Sequence, residues 1–144
     1  MTGKLNITVA QSPADLNGPR VRLAWLRDCL SRLEGQQTDL LVLPELFLTG
    51  YNIGSRVSDW AETADGPSAR AIAEFARAHR VAIHYGFAER EGGRLFNSAS
   101  CIGKDGSLLS TTASCCCRPA LKAIISVPAR PTPCLSWRVS RPRR

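Results

Sequence analysis

No stretch of this 144-residue sequence approaches the roughly 18 to 20 uninterrupted apolar residues that a membrane-spanning helix needs, and no internal repeat is evident. The opening residues MTGKLNITVAQ are broken by Asn6 and Thr8 and lack a small-residue cleavage pattern, so they do not read as a secretory signal. A cytoplasmic, reducing location with no membrane partner is the expectation, and there cysteines stay free or do chemistry more often than they form bridges. Histidine is scarce: His79 and His84 have no Cys or carboxylate at metal-ligand spacing, so each reads as a surface or packing residue and no metal site is expected.

The sharpest absence is local. The last 34 residues contain no acidic residue and none of the 11 glycines, yet they hold 4 of the 6 cysteines and 5 of the 9 prolines. The net charge of +7 belongs to them alone, because Met1 to Ser110 carries 12 Lys and Arg against all 12 acidic residues. A charge of that size suggests nucleic acid or an anionic surface only when the basic residues share one folded surface, and here they do not. The chain therefore divides into residues 1–110, of ordinary globular composition, and a basic Cys/Pro/Arg-rich tail, 111–144, expected to be disordered.

Within the first 110 residues, strands and helices alternate. Leu5 to Val9 reads as a short strand, followed by turn chemistry in SPADLNGP. In RVRLAWLRDCLSRLEG, Leu23, Leu26, Leu30 and Leu33 recur at steps of three and four, with Trp25 and Cys29 widening the stripe and Gly35 placed to stop the helix. DLLVLP is an apolar run too short for a helix and ended by proline, as expected for a strand buried on both faces. After an irregular polar stretch, DGPSARAIAEFARAHR predicts a second helix, with Pro67 in its first turn and Ala69, Ile72, Ala73 and Ala76 on one face. VAIHYGFAE and RLFNSASCIG are strands, and KDGS is a hairpin turn before Leu108. The order β, α, β, α, β, β predicts an α/β fold in which helices cover a sheet.

Catalytic residues in such folds sit where a strand ends and a loop begins. Glu45 does so, directly after LLVLP and followed by Phe47, Leu48 and Tyr51. A carboxylate against such a wall is expected to be desolvated, which would raise its pKa and suit it to general acid or base work. The competing expectation is that Glu45 caps a turn or meets a buried arginine. Glu89 also ends a strand, but Arg90 and Arg94 make a structural ion pair the better reading, and Cys101 reads as a small buried hydrophobe.

The segments LNITVAQ, DLLVLPELFLTGYNIG, DGPSARAIAEFARAHR and VAIHYGFAEREGGRLFNSASCIGKDGSLL, in this order from residue 5 to about 110, resemble the amino-terminal half of the nitrilase (carbon-nitrogen hydrolase) superfamily, near its aliphatic amidases and predicted amidohydrolases. The resemblance implies a partial αββα sandwich, hydrolysis of a nonpeptide carbon-nitrogen bond through a Glu, Lys and Cys triad, a small amide or nitrile as substrate, no cofactor, and frequent homo-oligomers. It assigns Glu45 as the general base and places Tyr51 close to the substrate. The lysine is expected after the DG hairpin in a YRK-like motif and the cysteine well beyond it; neither motif is present.

Cys115, Cys116 and Cys117 do not replace that cysteine, since they lie too close to Glu45 in sequence, and they lack the spaced pairs of a zinc site. If Thr111 to Ser114 were encoded ACT ACC GCA AGC, the frame displaced by two bases would read Tyr-Arg-Lys, and the second and third cysteines would become leucines. The expectation is a frameshift near Ser110, leaving a truncated and inactive chain, poorly soluble because a sheet edge and apolar helix faces stay uncovered. The alternative is a noncatalytic module whose tail residues Arg118, Lys122, Arg130, Arg138, Arg141, Arg143 and Arg144 bind nucleic acid or anionic surfaces. With Trp137 as its one stacking platform, the tail makes a poor case for a nucleic-acid partner.

Overall fold

A computed structural model describes residues 5–116, with side chains through residue 113, so the basic residues from Arg118 onward, Trp137 and Cys117 lie outside the described residues. Two short apolar strands form the parallel part of the sheet. Strand β1 (Ile7–Val9) pairs in parallel with β2 (Leu40–Val42), and β2 pairs in parallel with β3 (Ala82–Glu91). Strand β2 is not buried on both faces as expected: Leu41 is buried, while Leu40 and Val42, on the opposite face, are only partly so. Parallel neighbours need a crossover, and each crossover carries one of the helices expected from the leucine and alanine stripes. These are α1 (Pro19–Arg32) and α3 (Pro67–His79).

Both helices begin with proline, whose fixed φ suits the first turn and whose missing N–H is one the helix could not use. The α1 stripe buries Leu26 and Leu30 completely against Leu41, Ile72, Ile83 and Phe47. Each such side chain contributes about 1.5–3 kcal/mol of hydrophobic stabilisation. Helix α1 ends at Arg32, with Gly35 at φ 83° turning the chain toward β2. Helix α3 starts at the carboxylate of Glu62, which accepts hydrogen bonds from the Ser68 N–H and hydroxyl, both at 2.7 Å.

The sheet then changes character. Strand β3 runs antiparallel to β4 (Arg94–Ile102), and β4 antiparallel to β5 (Leu108–Cys116), giving the order β1-β2-β3-β4-β5. The KDGS turn forms as expected, with Gly106 at φ 81° and the Gly103 N–H donating to the Ser107 carbonyl at 2.8 Å. Strand β5 continues through Thr111 to Cys116 along the free edge of β4, beyond the composition boundary at residue 110. A short 3₁₀ turn (Gly54–Arg56) and α2 (Val57–Trp60) occupy the stretch expected to be irregular.

The result is a helical layer on one face of a mixed five-stranded sheet, the α/β half of an αββα sandwich. Register shows which face is uncovered. Thr8, Leu41 and Ile83 align on the core side, while Ile7, Leu40 and Ala82 align on the other. Leu5, Ile7 and Val9 are 61, 55 and 75 % exposed. The uncovered apolar surface is thus a sheet face, not the helix faces expected from the sequence, because α1 and α3 spend their apolar stripes on the core and on each other. Among the described residues no helix is long and apolar enough to cross a membrane.

Candidate functional site

The site forms where β2 ends. Past Val42 the chain keeps pairing with β3: the Leu43 N–H donates to the His84 carbonyl at 2.8 Å, the Gly86 N–H to Pro44 at 3.2 Å, and the Leu48 N–H to Gly86 at 3.2 Å. A Cβ at position 86 would stand 2.5 Å from the Leu46 nitrogen and 2.8 Å from the Glu45 Cα. Glycine at 86 is therefore what allows this segment to lie against β3. Leu46 adopts the left-handed region at φ 49°, a strained conformation for a leucine, and the Gly50 N–H closes the turn on the Leu46 carbonyl at 2.7 Å. Gly50, at φ 78°, takes a conformation that favours glycine, and the tip of the Arg22 guanidinium packs against it.

This turn separates Glu45 from Phe47 and Leu48, two of the three residues of the wall expected to desolvate it. Phe47 and Leu48 point into the core at 0 and 2 % exposure, while Glu45 is exposed. The expectation of a desolvated carboxylate is corrected accordingly. Among the described residues, Glu45 also neither caps a turn nor meets an arginine. A buried arginine exists in Arg22, but it packs against Gly50 and donates to the Ser12 hydroxyl at 3.3 Å; burial lowers its pKa, partly offset by Asp15.

Two neutral donors hold the Glu45 carboxylate instead. The Tyr51 hydroxyl, six residues on, donates to Oε2 at 2.8 Å, and the Asn97 side-chain amide, from β4, donates to Oε1 at 2.5 Å. Tyr51 is half-exposed, and its phenol is pushed above the ordinary tyrosine range by partial burial first, and then by the hydrogen bond to Glu45 and the charge of Glu45. The two residues singled out from the sequence, Glu45 and Tyr51, are thus in direct contact. Asn97 was not singled out, although it stands in LFNSA; its partner lies 52 residues away, and strand alternation cannot show which loop crosses above a strand. An oriented, exposed carboxylate whose two oxygens are both hydrogen-bonded keeps lone pairs free and can accept a proton from a neighbouring group.

The other candidates have structural surroundings. Glu89 is buried and accepts the Ser98 hydroxyl at 2.6 Å, while Arg90 is exposed and the Arg94 guanidinium lies 5.4 Å from the Phe96 ring centre. His79 faces Glu34 at 3.8 Å, and burial holds His84 below the ordinary histidine pKa. Cys29 and Cys101 are half-buried free thiols, both pushed up by burial, as suits packing residues. Among the described residues, no three His, Cys, Asp or Glu side chains converge as metal ligands do. A groove of about 690 Å³ lined by Gln36, Thr38, Asp39, His79 and Arg80 lies at the other end of β2 from Glu45.

Comparison with known proteins places this geometry in context. The family model described as carbon-nitrogen hydrolase matches residues 11–114. A protein of Pseudomonas protegens described as "Hydrolase in pqqF 5'region" is 48 % identical over 99 residues, covering 67 % of this chain and 33 % of that protein. An "(R)-stereoselective amidase" of Pseudomonas sp is 36 % identical over 72 residues, covering 50 % of this chain and 26 % of its own length. Among solved structures, an amidase from Nesterenkonia sp. superposes with a TM-score of 0.68 at 25 % identity, covering 92 % of this chain and 51 % of that one. The chain thus spans a third or less of these two curated relatives and about half of the amidase.

Proposed function

The chain belongs to the carbon-nitrogen hydrolase family, and from that premise we propose that it carries the base-bearing half of a site that hydrolyses a small amide or nitrile. Glu45 is the general base and Tyr51 lies beside the substrate. In the whole site Glu45 takes the proton of a cysteine thiol, the thiolate adds to the carbonyl or nitrile carbon, and a lysine meets the charge that develops on the former carbonyl oxygen or nitrile nitrogen. Protonation of the departing nitrogen, followed by attack of water on the thioester, completes the cycle for an amide. The observation that supports this reading is the bracketing of the Glu45 carboxylate by Tyr51 and Asn97 at the end of β2.

Among the described residues the partners of Glu45 are Tyr51 and Asn97, and neither is a nucleophile. We propose accordingly that the 144-residue chain does not turn over, and that the sequence after about Ser110 is read out of frame. The abrupt loss of acidic residues and glycine supports this reading, as does the Tyr-Arg-Lys that the displaced frame allows under Thr111 to Ser114. Assembly into homo-oligomers belongs to the same reading. The test is twofold: the coding bases under Thr111 to Ser114 read Tyr-Arg-Lys in another frame, and the purified chain releases no ammonia from short aliphatic amides or nitriles. Ammonia release that disappears in Glu45→Gln would keep the base and overturn the proposed inactivity, and coding bases that do not read Tyr-Arg-Lys would overturn the frameshift.

A further inference from the structure

We propose that Asn97 is a positioning residue for Glu45, fixing one carboxylate oxygen from β4 while Tyr51 fixes the other from the loop. The inference rests on the reading of Glu45 as the base. A glutamate on an exposed turn is free to sample its rotamers, and holding it in one of them opposes that side-chain entropy. Tyr51, itself half-exposed and six residues further along the same segment, does not tie Glu45 to the sheet. Asn97 does. It is 8 % exposed and stands on a strand paired on both sides, opposite Ala88 in β3 and Ser114 in β5.

The local backbone supports this assignment. The β4–β5 register slips between Phe96 and Asn97, an irregularity of the bulge type that re-aims side chains beside sites. The residue type is equally specific. An amide donates to Oε1 without carrying charge and without competing for the thiol proton, whereas an aspartate would repel the base and a leucine would not hold it. One donor on each oxygen leaves each a free lone pair, so the base is oriented without being blocked.

Carbon- and nitrogen-detected NMR on the full chain tests this. Glu45→Ala, at an exposed position, is expected to displace the Asn97 side-chain amide resonances while leaving the backbone resonances of β3 and β4 in place. In Asn97→Asp, the introduced carboxyl is expected to titrate about one pH unit or more above an ordinary aspartate, and to return toward the ordinary value when Glu45→Gln is added. A residue that merely filled space would show neither coupling. Asn97 amide resonances indifferent to Glu45→Ala overturn the proposal, as does an ordinary titration at position 97 that Glu45→Gln leaves unchanged. If Asn97→Asp fails to fold, the Glu45→Ala spectrum decides alone. These readouts concern the link between the two side chains; the reading of Glu45 as base is decided separately by turnover, so the two failures are distinguishable.

Discussion

Gly86 lies directly against Glu45: a Cβ at position 86 would fall 2.8 Å from the Glu45 Cα and 2.9 Å from its carbonyl carbon. The contact is backbone on backbone, with no flexible side chain to yield. Gly86→Ala is therefore expected to lift the Pro44–Leu46 segment off β3, costing about 1–3 kcal/mol as overpacking does. A drop in the urea midpoint, with new resonance positions for Glu45 and Leu46, checks it.

The two tyrosines provide a second check. Burial pushes Tyr85 up to about 12, against the opposing pull of the Ser100 hydroxyl, and Tyr51 is raised by burial and then by Glu45. Absorbance titration of the folded chain should therefore show little phenolate at pH values where free tyrosine ionises. In Glu45→Gln, Tyr51 should ionise earlier, though not at the free value because burial remains, while Tyr85 should change little. No effect of Glu45→Gln on either tyrosine would remove the Tyr51–Glu45 hydrogen bond from the account.

The same shift fixes the direction of alkaline instability. Tyr85 binds its proton more tightly in the folded than in the unfolded chain, so the stability it confers is complete below its unfolded pKa near 10 and is lost as pH rises toward about 12. The urea midpoint should fall across that window, and Tyr85→Phe should flatten the fall.

Helix α3 has no side-chain cap from Gly66, and Glu62 takes over that task from outside the helix by accepting the Ser68 N–H and hydroxyl. Glu62→Ala is expected to cost about 0.5–2 kcal/mol, the range for losing a helix N-terminal acceptor. Equilibrium denaturation measures it, with loss of α3 amide-exchange protection as the local signature.

Most of the fold was legible because its signals are local. The leucine spacing of α1, the Pro67 start of α3 and the Asp105–Gly106 turn are each written within a few residues. What escaped depends on which surfaces meet. Leu5, Ile7 and Val9 read as an ordinary strand, yet the register turns them away from the helices. The exposure of Glu45 follows from the left-handed Leu46, which swings Phe47 and Leu48 inward, and no residue type announces that turn. Glu45 could be found because it directly follows a strand, and Tyr51 because the family resemblance places that position beside the substrate. Asn97 could not, since its contact with Glu45 exists only after β3 and β4 have paired.

The central claim is that Glu45 is the base of a carbon-nitrogen hydrolase site. Its most direct test is ammonia release from a short aliphatic amide by the protein expressed in the proposed displaced frame after Ser110, compared with the same protein carrying Glu45→Gln. The account predicts turnover in the first and a loss of at least about 10²-fold in kcat in the second, the scale of general base catalysis. Turnover undiminished by Glu45→Gln would contradict it.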